Sequence, residues 1–292
     1  MPRPIPKRAG LEVCLPQEST MPERHPLNRS FEWRSTQSLG RLVSASQARA
    51  FDSEGYFVLE GAFDAATMKR AIEEIDPVEA GVESLLRAQP DGRVFIARAG
   101  EITFSPHLVT RSPWLRDFVC HPVFQGLAGD LLGDDVRLYW DQAVYKKPGT
   151  EAPFPWHQDN AYTFVVPQQY LTCWLALTDT DLDNGCPWVL PGLHRHGTLL
   201  HQMTELGWSC CEDPEDAVPV PLRAGSIAVF SSLTPHRTGP NRSAEVRKAY
   251  IVQFAPEGAH VLMPDGEGGG LREQRCDAPE RQFPILVDGR PV

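Results

Sequence analysis

The chain has 292 residues, with 38 Asp and Glu against 28 Lys and Arg and a formal net charge of −10. That balance argues against nucleic acid or an anionic membrane surface as a partner, and the length suffices for one large β-rich domain with its own core. Seven cysteines without a CxxC pair argue against a disulfide framework or zinc ribbon and suit reduced thiols in a cytoplasm.

Residues 1–40 are rich in Pro, Arg and Ser without an apolar period, and read as an irregular extension. They contain no apolar stretch of the kind a signal peptide needs. No run anywhere approaches the ~20 apolar residues of a membrane span. The domain is expected over 41–260, with helices over 44–133 and a β-barrel core over about 136–256. Ser44 or Ser46 is placed to cap a helix that Gly55 stops, and "YFVLEG" follows as a short strand. Asp64 caps "DAATMKRAIEEI", in which Met68, Ala71, Ile72 and Ile75 share one face. A further helix, "PWLRDFVCHPVFQGLAGDLLG", ends at Gly133.

From Val136 the texture changes to short runs rich in Val, Ile, Tyr, Trp and Phe, bounded by Gly, Pro, Asn or Asp. Lys146 and Lys147 read as flanking a loop. The tail, 261–292, is loop-like except for "FPILV", which is able to dock as an edge strand.

Within "FPWHQDNAYTF", His157 and Asp159 stand two apart, and on a strand they would share a face. Alone, such a pair is more often a surface pair or a hydrogen-bonded turn than a metal site. His236 follows the strand "SIAVFSS", where it is able to turn inward. Two imidazoles and one carboxylate with open positions form the ligand set that suits non-haem Fe(II). Arg247 lies eleven residues beyond His236, across the turn "GPNRS". Out along one strand and back along another, both side chains can face one interior, where a guanidinium grips a diacid bidentately.

Three stretches, "PWHQDNAYT", "CWLALTDTDLDNGCPWVLPGLHRHG" and "PHRTGPNRSAEVRKAYIVQF", together resemble the phytanoyl-CoA dioxygenase family of Fe(II)/2-oxoglutarate oxygenases. "FDSEGYFVLEGAF" looks like that family's N-terminal signature. The resemblance implies a mainly β fold with flanking helices, a double-stranded β-helix of the jelly-roll, cupin-like kind. By the same resemblance His157, Asp159 and His236 hold Fe(II), and Arg247 with Thr238 binds the distal carboxylate of 2-oxoglutarate. Gln142 and Trp174 match further co-substrate contacts, with a satisfied barrel residue and plain core packing as their alternatives, and Arg98 is the candidate for a further basic contact. His194 and His196 are expected at a rim, and Tyr162 and Trp188 either line a substrate pocket or pack in the core.

The implied reaction consumes O₂ and 2-oxoglutarate, releases succinate and CO₂, and hydroxylates an unactivated C–H of a small-molecule metabolite. A halogenase of this family replaces the carboxylate ligand by a small residue, so Asp159 favours hydroxylation. Desaturation or ring closure by the same iron chemistry stays open, as do a cupin-like isomerase without 2-oxoglutarate and a non-catalytic metal-binding barrel.

Overall fold

The computed structural model describes residues 22–36, 40–212, 214–265 and 270–292, so the signal-peptide reading and Cys14 lie outside the described residues. Helix α1 (Ala45–Glu54) begins at Ser44, whose side chain forms a reciprocal capping box with Gln47. It ends at Gly55, which adopts the left-handed φ of 88°. The chain then enters β1 (Tyr56–Leu59).

Helix α2 (Ala65–Arg87) starts at the Asp64 cap and buries Met68, Ala71 and Ile75 as expected, but continues through Pro77 for three more turns. Pro77 and Glu73, four residues earlier, are both exposed, so the carbonyl that loses its helical partner faces water. The far half of α2 is tied to the barrel: Glu79 accepts from Lys147 Nζ at 2.6 Å and Thr103 Oγ1 at 2.8 Å. Asp76 accepts from Tyr145 Oη at 2.7 Å and Lys248 Nζ at 2.8 Å.

The helical stretch expected up to residue 133 is interrupted by three strands, β2 (Arg93–Val94), β3 (Ala97–Arg98) and β4 (Ile102–Pro106). β4 pairs with the barrel, which supplies the hydrogen bonds that its short, weakly patterned sequence did not announce. The last predicted helix is two, α3 (Pro113–Phe118) and α4 (Pro122–Leu132), each opened by a cap residue and a proline at the first helical position.

The long strand β5 (Val136–Lys146) leads to a single helical turn, α5 (Asp159–Tyr162), then β6 (Val165–Val166) and β7 (Leu171–Ala176). Next come β8 (Pro187–Val189), β9 (Gln202–Thr204), β10 (Gly207–Ser209) and β11 (Val218–Pro219). The final elements are β12 (Ile227–Ser231), β13 (His236–Thr238), β14 (Arg247–Pro256), β15 (His260–Pro264), β16 (Leu271–Arg275), β17 (Pro284–Val287) and β18 (Arg290–Pro291).

The large antiparallel sheet runs β1-β12-β7-β14-β5-β4-β3-β2, and β17 docks on β5, as "FPILV" allowed. A small sheet, β11-β8-β13, faces it. Val189, Val220 and Leu222 from the small side meet Trp174, Ala228 and Ile251 of the large sheet in one buried cluster. The other face of the large sheet carries Cys173, Leu175, Tyr250 and Val252, covered by α1 to α4. This is the jelly roll, with period-two alternation dividing each strand between helix-covered and interior faces.

The segment 22–36 is irregular yet tied down: Asn28 is buried and donates to the carbonyls of His196 and Thr198, and Trp33 packs on Phe51. Among the described residues no helix is long and apolar enough to cross a membrane.

Candidate metal centre

The HxD pair does not lie on a strand. His157 forms a one-residue antiparallel bridge with His236, and Asp159 is the first residue of α5. The helical turn forms because the intervening polar groups are used elsewhere. Gln158 donates to Gly197 O and accepts from Leu199 N, while Asn160 donates to Thr198 and accepts from Val165 N. His157 and Asp159 still converge, with His236 brought in across the bridge. Asp159 Oδ1 lies 3.9 Å from His157 Nε2 and 3.7 Å from His236 Nε2. One ligand atom from each of the three falls within 4.8 Å of the others, and the triad is the group of metal-ligating side chains found among the described residues.

The protonation pattern suits a cation. His157 Nδ1 faces Pro155 O at 2.8 Å and His236 Nδ1 faces Thr234 O at 3.0 Å. A carbonyl only accepts, so each ring holds its proton on Nδ1 and presents the Nε2 lone pair to the site. Burial, reinforced by His236, pulls the His157 pKa down to about 3, and burial pulls that of His236 down to about 4. Burial pushes Asp159 upward instead. Two neutral imidazoles give this half-buried carboxylate no compensating positive charge; a divalent cation would supply it.

Asp159 Oδ2 accepts the Thr172 hydroxyl at 2.6 Å, and Thr172 Oγ1 accepts from Gln253 Nε2 at 3.1 Å. Sequence reasoning missed both residues. The available signal was a lone Gln in the otherwise apolar strand "YIVQF".

Arg247 is 1% exposed, on β14 opposite Lys146. Its Nη1 donates to Val144 O at 3.3 Å, but Nε and Nη2 have no partner, and the guanidinium lies 5.2 Å from the Trp174 ring. Burial lowers its pKa to about 10, so it stays charged near neutrality. Thr238 is buried two residues beyond His236, on the same face of β13. Gln142 is half-buried on β5, in phase with Val144 and Lys146.

Lys146 and Lys147 do flank a turn, at 148–149, but the Lys146 side chain does not reach out from it. Lys146 ends β5 fully buried, donating to Gly239 O at 2.6 Å and Ala152 O at 3.2 Å. Arg98 lines a cleft with Lys146 and Phe154, but its Nη2 lies 3.2 Å from Glu205 Oε1 and its Nη1 3.8 Å from Glu101.

Tyr162 packs edge-on against His157, with ring centroids 5.3 Å apart. Trp188 belongs to the opposite face of the small sheet, beside Arg237, whose guanidinium lies 5.4 Å from its ring. His194 is not at a rim: it is buried against Trp33 and beneath the end of α1, while His196 is half-buried.

The sequence model of the phytanoyl-CoA dioxygenase (PhyH) family matches residues 51–249. A probable alpha-ketoglutarate-dependent hypophosphite dioxygenase of Stutzerimonas stutzeri is 25% identical over 267 residues, covering 84% of this chain and 90% of that protein. A methylphosphonate hydroxylase of Gimesia maris is 35% identical over 133 residues, 44% of this chain and 48% of that protein. Among solved structures, the non-haem alpha-ketoglutarate-dependent carbocyclase SnoK from nogalamycin biosynthesis shares the fold. Its TM-score is 0.62 at 22% identity, over 80% of this chain and 95% of that one.

Proposed function

The chain belongs to the phytanoyl-CoA dioxygenase family of Fe(II)/2-oxoglutarate-dependent oxygenases, and from that premise we propose that it hydroxylates an unactivated C–H of a small-molecule metabolite. Succinate and CO₂ are the co-products. In this reading His157 Nε2, Asp159 Oδ1 and His236 Nε2 hold Fe(II), which supplies the oxidising power when bound with 2-oxoglutarate and O₂.

The observation that carries the reading is Arg247. A fully buried guanidinium with Nε and Nη2 left unpaired is unfavourable unless an anion completes it. A carboxylate matches that fork. Thr238 adds a hydroxyl from the strand that carries His236, Trp174 lies 5.2 Å from the Arg247 guanidinium, and Gln142 stands in phase with Val144 and Lys146 on β5. Arg98 is assigned to tethering the hairpin around Glu205 rather than to the co-substrate, because its guanidinium is already paired.

A metal-binding barrel without catalysis has no need of the Arg247 clamp, nor has an isomerase that uses no diacid. The chain's own part is to exclude water, hold the three ligand atoms and orient the two acids. Asp159 retains the carboxylate that favours hydroxylation over halogen transfer.

The test is succinate formation that requires Fe(II), 2-oxoglutarate and O₂ and rises with a candidate substrate, which gains one oxygen atom by mass. Small phosphonates belong in the first panel, since a methylphosphonate hydroxylase is among the relatives. Succinate that appears equally without 2-oxoglutarate or iron would contradict the reading.

A further inference from the structure

We infer that Thr172 and Gln253 are positioning residues that restrict Asp159 to a single metal-facing oxygen. The inference rests on the proposed role of Asp159 as a ligand and concerns which of its oxygens is available. A threonine hydroxyl has one proton to give. Gln253 Nε2 donates into Thr172 Oγ1 at 3.1 Å, so the hydroxyl proton is directed onward to Asp159 Oδ2 at 2.6 Å. Oδ1 alone is then turned toward the two Nε2 atoms, at 3.9 and 3.7 Å.

The relay is set by strand register rather than by chance side-chain reach. Thr172 and Gln253 stand directly opposite each other in the β7–β14 ladder. Gln253 is also where β14 slips register against β5, between Gln253 and Phe254. Both side chains are buried, which holds the geometry and keeps water from competing for Oδ2.

A carboxylate free to offer both oxygens takes up two positions on a metal. Held to one, it leaves room for a bidentate 2-oxo acid and a further small ligand. Thr172 and Gln253 therefore act on the open positions of the site without touching metal or substrate.

Co(II) serves as the probe, because its visible bands report coordination and it does not turn over. In the wild-type protein Co(II) binds, and 2-oxoglutarate perturbs its spectrum with a measurable midpoint. Thr172→Val removes the donor at nearly constant volume. It is expected to retain Co(II), to change the band shape, and to raise the 2-oxoglutarate midpoint by about tenfold or more, on the order of the losses in metal affinity or activity that follow removal of outer-shell partners. Thr172→Ser should restore both signals, which a packing role of the threonine methyl would not allow. Gln253→Leu should move them in the same direction but less.

If Thr172→Val does not fold, Thr172→Ala is measured for the same two signals. A folded Val or Ala variant with the wild-type spectrum and midpoint overturns the inference while leaving the metal assignment intact. A wild-type protein that binds neither Co(II) nor 2-oxoglutarate overturns both.

Discussion

His157 and His236 exchange both of their backbone hydrogen bonds, each N–H reaching the other's carbonyl at 2.9 Å. The two imidazoles are thereby locked side by side, with ring centroids 4.2 Å apart, by a single antiparallel bridge. The geometry of the triad is thus a property of main-chain pairing first and of side-chain rotamers second.

His157→Ala, Asp159→Ala and His236→Ala are each expected to lose iron, because a site of three ligands cannot spare one. Metal content per protein after desalting under limiting Fe(II) is the measurement. Wild-type retention in any one of them contradicts its assignment as a ligand.

Arg247→Ala should keep iron and lose the co-substrate. Removing a charge-assisted bidentate contact costs about 2–4 kcal/mol. That corresponds to a roughly 30- to 1000-fold higher Kd for 2-oxoglutarate. Titration of the anaerobic Fe(II) protein, followed by its metal-to-ligand absorption, reads the midpoint directly. An unchanged midpoint places the clamp elsewhere.

Arg98→Ala offers the contrast. Its ion pair with the exposed Glu205 is of the kind worth about 0–1 kcal/mol. The 2-oxoglutarate midpoint is expected to stay within about threefold of wild type. A shift comparable to that of Arg247→Ala would return Arg98 to the co-substrate site.

Acid should destabilise the metal-free protein well above the usual carboxylate range. Burial holds the pKa of His157 near 3 and those of His194, His201 and His236 near 4. In the unfolded chain each titrates near 6.5. Between pH 7 and 5 the unfolded state therefore takes up protons that the folded state refuses, and stability falls with pH. Asp141, pushed up to about 6 by burial, and Asp159, also raised, act in the opposite sense and offset part of this. The expected net is a Tm lower by on the order of 5–10 °C at pH 5 than at pH 7. A Tm that is flat or rising across this range contradicts it.

Gly55→Ala tests the seat beneath His236. The φ of 88° disfavours any Cβ, and one built there falls 2.6 Å from both His194 Nδ1 and Thr234 Oγ1. A loss of about 2–5 kcal/mol is expected from the combined strain and crowding, read from the denaturation midpoint. A near-neutral effect would show that α1 is free to move away.

The barrel was legible because its strands are short, β-branched or aromatic, and bounded by turn residues. That His157, Asp159 and His236 would converge was legible from their pattern as a set. Their local structure was not: "WHQDN" carries strand-like neighbours, and only the tertiary partners of Gln158 and Asn160, some 40 residues away, turn Asp159 into a helical turn. The length of α2 was hidden by Pro77, whose penalty is small where the freed carbonyl faces water. Thr172 looked like one more strand residue, since its significance depends on which residue the ladder sets opposite it.

The α1 cap has a wider consequence. Gly55 O accepts the Thr234 hydroxyl at 2.8 Å, and Thr234 O in turn receives His236 Nδ1. The stretch that matches the family begins at residue 51, inside α1, and stops at 249, inside β14. A fragment trimmed to those limits would keep His157, Asp159, His236 and Arg247, yet lose the Ser44 cap, Gln253 and the β17 edge. Contacts that hold the site and the large sheet therefore extend beyond both ends of the stretch by which the family is recognised.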